Sequence, residues 1–344
     1  MKRFLIVATV LCVIIGIVTG IAVGQLNGFL DKPVSLAEGS VNFEITPGAA
    51  FGTVAARLEE QGIIDSASKL SFYARWSEQA ARVQAGEYLI KDGTTPRDIL
   101  KQFTSGAVKL YSFTIIEGWN QWDLLRALHA DPNLEATLTD EDWPALLAEL
   151  GATANHPEGL FLPETYRFPS GTTDRKLLSQ AYDLLQQTLA EEWEARSVDA
   201  ITETPYDALI LASIIEKETA RVDERQRIAG VFTRRLQQRM RLQTDPTVIY
   251  GIGKDFNGNL TRKDLRTPTP YNTYTQHGLP PTPIAMAGRA AIHAALHPED
   301  GEELYFVATG LGDGSHKFSV TKEEHDAAVA EYLKRLRSRR SGAQ

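Results

Sequence analysis

A ten-residue stretch, Leu211-Ala-Ser-Ile-Ile-Glu-Lys-Glu-Thr-Ala220, places two carboxylates, Glu216 and Glu218, at the end of an apolar helical run. A carboxyl group held against apolar neighbours has its pKa raised toward neutrality, the condition for general acid/base work near pH 7. Two residues along a helix is about 200° of rotation, so the two side chains point to nearly opposite sides. They cannot jointly flank one glycosidic bond, as the paired carboxylates of ordinary glycosidases do across roughly 5–9.5 Å. One is the candidate acid and the other a neighbour. Glu218 stacks over Ile214 and Leu211, and Glu216 over Ala212 and Leu209, so spacing prefers Glu218 only mildly. The competing reading is structural: helix-end glutamates paired with Lys217, Arg221 or Arg225.

A second polar stretch follows, Arg241-Leu-Gln-Thr-Asp-Pro-Thr-Val-Ile-Tyr250. Asp245-Pro246 reads first as a turn or helix start, with Asp245 capping the amides of Thr247 or Val248. Thr267-Pro-Thr-Pro-Tyr-Asn-Thr-Tyr274 is rich in groups that line sugar clefts, since aromatic rings stack on pyranose faces and amides read hydroxyls; it reads equally as a proline-braced loop. The histidines show no HExxH spacing. His293 and His297 are four apart, with no acid between them, which reads as a surface pair. There is no nucleophile elbow, phosphate loop or dinucleotide fingerprint.

The elements that position these residues follow from periodicity and punctuation. A strand at 41–45, helices at 51–61 and 68–76, a strand at 85–90 and a helix opening at Thr95-Pro96 make a small β-α-α-β-α unit. A strand at 110–116, Leu- and Ala-rich helices between 122 and 150, and an aromatic loop at 159–169 come next. Helices follow over 174–193, from Thr204-Pro205 onward, and over 221–239. Residues 241–283 read as mostly loop; a loop that long is functional or disordered. A helix at 288–296, strands at 304–308 and 317–320 and a last helix from 321 complete the chain.

The 344 residues, 43% hydrophobic and 23% charged, have ordinary globular composition, and the length favours two folded units. A net charge of −8 argues against a nucleic-acid partner, which selects a basic face. The basic run Lys334–Arg340 reads as a solvated helix end. Lys2-Arg3 precede an uncharged stretch from Phe4 to Val23. As a helix this spans roughly 30 Å, a bilayer core. Positive charge before it and Asp31, Glu38 and Glu44 after it place the N-terminus in the cytoplasm and the remainder outside. A cleaved signal peptide is the alternative, with Gly20 and Ala22 as small residues near a cut. Cys12, the single cysteine, lies inside this span and forms no intrachain disulfide.

Several long strings together are informative. Ala212–Thr219, Arg241–Gly251, Pro270–Tyr274 and Gly278-Leu-Pro-Pro281, with Glu117-Gly118, Glu158-Gly159, Pro163-Glu-Thr165, His297-Pro298 and Tyr305-Phe-Val307, closely resemble the endolytic murein transglycosylase (YceG-like) family in the same order. The resemblance implies an α+β fold: a transmembrane helix (4–23) after a cytoplasmic N-terminus (1–3), a stalk (24–40), a small LysM-like module (41–107), a larger mixed α+β catalytic domain (108–337) and a basic tail (338–344). It implies Glu218, the second glutamate of Glu-Lys-Glu-Thr, as catalytic acid. It implies non-hydrolytic cleavage of the β-1,4 bond between N-acetylmuramic acid and N-acetylglucosamine in peptidoglycan, leaving 1,6-anhydro ends, with no cofactor and no metal. Gln243, Asn272 and Tyr274 are the expected sugar contacts, and Asp245 and Glu164 further substrate-binding candidates. Peptidoglycan strands are the expected partner, with peptidoglycan synthases and the division or elongation machinery as associates in the inner membrane. A lysozyme-like hydrolase, with Asp245 or Glu164 positioning water, and a non-catalytic glycan-binding scaffold are the alternatives. Segment 131–155 has no counterpart in the recognised strings.

Overall fold

The structure is a computed structural model and describes residues 2–342. The chain divides into two compact units, 1–111 with 167–171, and 112–166 with 172–344.

In the first unit, α1 (Lys2–Leu30) is apolar from Phe4 onward, and its large side chains from Phe4 to Val23 are at least half exposed. A helix greasy all round and covered by nothing fits a single membrane span. The helix does not stop where the apolar run does. Phe29, Leu30 and Val34 bury themselves in the core of the module that follows, so residues 26–36 are not the free stalk expected of 24–40. That core forms around β1 (Ser40–Ile45) paired antiparallel with β2 (Gly86–Lys91), in a register that sets Phe43 opposite Tyr88 and Val41 opposite Ile90. The period of two turns Phe43, Ile45, Tyr88 and Ile90 to one face. α2 (Phe51–Glu60), α3 (Ala67–Trp76) and α4 (Pro96–Ser105) cover that face with Leu58, Leu70, Ile99 and Phe103. Each such buried side chain contributes about 1.5–3 kcal/mol. Thr95 caps α4 through the Asp98 amide (3.2 Å), with Pro96 at the first helical position.

β3 (Leu110–Thr114) leads to the second unit. There α5 (Gln121–Ala130), β4 (Leu134–Glu135) and α6 (Trp143–Glu149) come first; β5 (Thr165–Pro169) runs into the 167–171 stretch of the first unit, and β6 (Thr172–Thr173) and α7 (Asp174–Glu194) belong to the second again. The 159–169 stretch is therefore partly extended. Buried Asp174 accepts from the Thr137 and Leu138 amides (2.7 and 2.8 Å), which fastens the unfamiliar 131–155 segment to the start of α7.

The centre of this unit is α8 (Pro205–Glu218), whose residues Ala208–Ile215 are all buried. A capping box between Thr204 and Asp207 starts it and Pro205 occupies its first turn. α7, α9 (Arg225–Gln237), α10 (Asp245–Ile252) and α12 (Arg289–Leu296) pack around it. The 241–283 stretch is more ordered than its composition suggests: it holds α10 and the short α11 (Arg262–Arg266), which is capped by Thr261. β7 (Tyr305–Ala308) pairs antiparallel with β8 (His316–Ser319), and α13 (Lys322–Gly342) closes the chain.

Candidate active site

α8 ends by delivering its two glutamates to different surroundings. Glu216 reaches Arg225 at the start of α9, 2.8 Å away, and both side chains are almost wholly buried. The Gly288 amide donates to its other oxygen (3.0 Å), and Arg225 also reaches Glu117 (3.3 Å). Burial pushes the Glu216 carboxyl above its ordinary pKa, while the Gly288 amide and Arg225 pull the other way. This is a joint between α8, α9 and the start of α12, and the structural reading of the helix-end glutamates holds for Glu216.

Glu218, partly buried, has no Lys or Arg in ion-pair range among the described residues. It accepts instead from the Thr244 hydroxyl. Desolvation raises its pKa, the Thr244 bond lowers it, the Asp245 carboxylate raises it again, and His316 lowers it slightly. The net direction is up, which favours a neutral carboxyl able to donate a proton.

Thr244 is itself fixed. Its amide donates to Thr273 Oγ1 (3.1 Å), its carbonyl accepts from Thr247 Oγ1 (2.8 Å), and the Thr247 and Thr273 hydroxyls bond each other (2.9 Å). All three threonines are buried. The preceding residue, Gln243, holds φ at 56°, a left-handed conformation that costs a non-glycine residue of order 1 kcal/mol and clusters at functional sites. The residue is exposed, and its Oε1 accepts from Arg235 Nη1 (3.5 Å). Asp245 starts α10 but does not cap it; its Oδ1 accepts from the Tyr274 hydroxyl (2.6 Å). Glu218, Thr244, Asp245 and Tyr274 thus form one cluster, with Gln243 at its edge.

Two expected residues lie elsewhere. Asn272 is fully buried, its amide nitrogen donating to the carbonyls of Asp264, Leu265 and Thr267 (3.0, 3.3 and 2.7 Å) and its oxygen accepting from the Tyr274 amide (2.9 Å). Its hydrogen-bonding capacity is spent on folding the loop that carries Tyr274, which leaves nothing for a sugar. Glu164 lines a cavity of about 600 Å³ on the Glu216 side, with Glu117, Arg225 and Arg289, away from the Glu218 cluster.

Glu158, from the Glu158-Gly159 string, is wholly buried and accepts from the Gln121 amide (3.1 Å). Desolvation raises it to about 8, so it is largely neutral at pH 7. Residues able to hold a metal do occur: Glu192 from α7 joins His293 and His297, with donor atoms within 4.8 Å of one another. Here His293 Nδ1 faces Glu192 (2.8 Å), and both His297 nitrogens face carbonyls, of His293 and Ala195 (3.1 and 2.9 Å), so the group ties α7 to α12. The acid missing between the two histidines in sequence comes from another helix.

Sequence reasoning also missed Thr244 and His316. His316 is held by Glu224, whose carboxylate takes both its amide (3.0 Å) and its Nδ1 (2.7 Å). A threonine inside a polar run and a histidine a hundred residues downstream carry no spacing signal to a helix-borne glutamate.

One partly buried carboxyl at the end of an apolar helix, accepting from a hydroxyl and lying near an exposed amide and a half-buried phenol, is a candidate acid/base centre in an α+β protein. The chain belongs to the YceG-like family, whose family model matches residues 43–331. It is 31% identical to the endolytic murein transglycosylase of Bacillus subtilis (strain 168) over 315 residues, covering 86% of this chain and 85% of that protein. It is 27% identical to the protein of the same name from Streptococcus pneumoniae serotype 2 (strain D39 / NCTC 7466) over 326 residues, 85% of this chain but only 58% of the pneumococcal one. Among solved structures, that of a putative yceG-like protein from Listeria monocytogenes matches with a TM-score of 0.53 at 30% identity, covering 84% of this chain and 98% of that one.

Proposed function

We propose that this protein is an endolytic murein transglycosylase that cuts peptidoglycan strands with Glu218 as its one acid/base. The observation that carries the reading is the separation of the two α8 glutamates: Arg225 neutralises Glu216, and Glu218 is left protonatable beside Thr244. The neutral Glu218 carboxyl gives its proton to the glycosidic oxygen as the bond from that oxygen to C1 of the muramyl sugar breaks. The carboxylate then takes the proton of that sugar's 6-hydroxyl as the hydroxyl oxygen bonds to C1. The net result is a 1,6-anhydro end, a free 4-hydroxyl on the neighbouring sugar and a regenerated acid, with no water consumed. Cleavage of this kind within nascent strands ends their elongation. No second carboxylate is needed as nucleophile, in contrast to retaining glycosidases.

Gln243 and the Tyr274 hydroxyl orient the sugar in this reading, which the bond from Tyr274 to Asp245 beside Glu218 supports. α1 serves as a single-pass anchor in the inner membrane, with the N-terminus in the cytoplasm and the chain beyond the span outside, in the periplasm. The charge order around α1 supports this orientation. The β-α-α-β-α unit acts as a LysM-like module that engages glycan, and synthases and the division or elongation proteins are the expected associates. Incubation of uncrosslinked strands with wild type and Glu218→Gln tests the activity: wild type releases anhydro-ended fragments and the variant releases none.

A further inference from the structure

A cavity of about 430 Å³ lies where α5, the end of α8 and α10 meet. It falls in the size range of small-ligand sites, about 300–1,000 Å³. Its lining combines two kinds of group. Trp122, Tyr250 and Phe256 give an apolar wall, and Lys217, Arg126 and Lys254 supply three cations. No carboxylate lines it among the described residues, in a chain whose net charge is −8.

The wall is rigid. Trp122 and Tyr250 stack with centroids 5.6 Å apart and planes at 27°, and Tyr271 meets Tyr250 edge-on at 5.0 Å. The Tyr250 hydroxyl is backed by Glu158 and Gln121. Gly253, at φ +67°, turns the chain beside Trp122, where an added Cβ would make an ordinary van der Waals contact with the ring at 3.5 Å. The cations are less constrained. Arg126 meets Asp123 (3.0 Å) and Lys254 meets Asp140 (2.9 Å) as solvent-exposed pairs. Such pairs are worth about 0–1 kcal/mol and yield easily to a ligand. Lys217 donates to the Gly118 carbonyl (3.0 Å), and its chain neighbour is Glu218. Pro246, also in the lining, follows Asp245 directly. The cavity therefore shares both of its inner helices with the acid cluster.

We propose that this cavity is a glycan subsite for a sugar carrying an anionic substituent, with the ring against the Trp122–Tyr250 wall and carboxylates facing Arg126, Lys254 and Lys217. In peptidoglycan that sugar is the muramyl unit with its peptide, so the proposal rests on the function argued above. Apolar C–H faces against aromatic rings give affinity, and the cations select strands that retain their peptides.

The test uses the full chain in detergent, carrying Glu218→Gln so that strands bind uncut. Binding is measured to uncrosslinked strands with their peptides and to the same strands after enzymatic removal of the peptides. Arg126→Glu with Lys254→Glu, both at exposed positions that do not endanger folding, is expected to weaken binding of peptide-bearing strands about tenfold, and to weaken less the stripped strands, which keep only the lactyl carboxylate freed on each muramyl sugar, tenfold being about 1.4 kcal/mol. Trp122→Ala, with folding checked by circular dichroism, is expected to weaken both by a similar factor. If both variants bind like their parent while the enzyme with Glu218 intact still cuts strands, the subsite is wrong and the activity stands. If the parent binds neither strand and wild type cuts none, both readings fall together.

Discussion

The Thr244 hydroxyl donates to Glu218, joining the last residue of α8 to the residue just before α10. The bond opposes the desolvation that raises the Glu218 pKa. Desolvation prevails and keeps the acid protonatable, while its oxygen is pointed by a hydroxyl whose residue is kept in place by contacts among three buried threonines.

Replacing that hydroxyl tests the tuning. Thr244 stabilises the carboxylate, so Thr244→Val raises the Glu218 pKa further. The reaction needs Glu218 protonated at the start, so activity falls as pH rises through its pKa. The falling limb of the kcat/KM profile is expected to move to higher pH in Thr244→Val. The maximal rate drops by about 10–100-fold, because the carboxyl loses its orientation. An unmoved limb would separate Thr244 from the acid.

The two glutamates are expected to respond oppositely in stability. Glu216→Leu leaves Arg225 buried with only Glu117 and should cost about 3 kcal/mol, the lower end for breaking a buried pair. Glu218→Gln should be neutral or stabilising. The folded pKa of Glu218 lies above the ordinary 4.5, so its burial costs nothing below that pH and costs progressively more as pH rises toward the folded value. Urea denaturation at pH 4 and pH 7 checks this: the advantage of Glu218→Gln over wild type is absent at the lower pH and present at the higher.

Asn272 and Tyr274 distinguish scaffold from contact. Asn272→Ala strips the partner from three carbonyls and one amide and should lower stability by about 2–3 kcal/mol, with faster proteolysis between 261 and 283. Tyr274→Phe removes one hydroxyl bonded to exposed Asp245. It should leave the melting temperature unchanged and lower kcat/KM about tenfold, the loss of one orienting hydrogen bond.

Truncation separates anchor from module. A chain beginning at Gly24 keeps Phe29, Leu30 and Val34 in the small core and should fold as a soluble protein. A chain beginning at Ser40 loses all three, and an emptied Leu-sized site alone costs about 2–5 kcal/mol. Thermal melting of the two truncated proteins shows whether the earlier cut is the more stable.

Much of this architecture is legible in the chain because it is local. The β-α-α-β-α order, the start of α4 at Thr95-Pro96 and that of α8 at Thr204-Pro205 follow from periodicity and capping residues. The burial of Ile214 and Leu211 beneath Glu218 follows from helical stacking. What spacing leaves open is decided by the partners that folding supplies. Glu216 is settled by Arg225 and Gly288, and Asn272 by carbonyls of its own loop. α10 and α11 lie hidden in a stretch whose Pro, Asn and Thr content resembles loop, because short helices held by caps and tertiary packing carry little periodic signal. The 24–40 segment reads as a stalk from its polarity, but three apolar side chains within it find a core that only the folded module provides.

The most direct measurement is mass analysis of the fragments released from uncrosslinked peptidoglycan strands by wild type and by Glu218→Gln. Wild type is expected to release fragments with 1,6-anhydromuramyl ends, lighter by one water than hydrolysed ends, and the variant no fragments. Reducing ends from wild type, or continued cleavage by Glu218→Gln, would overturn Glu218 as the single acid/base of a non-hydrolytic cut.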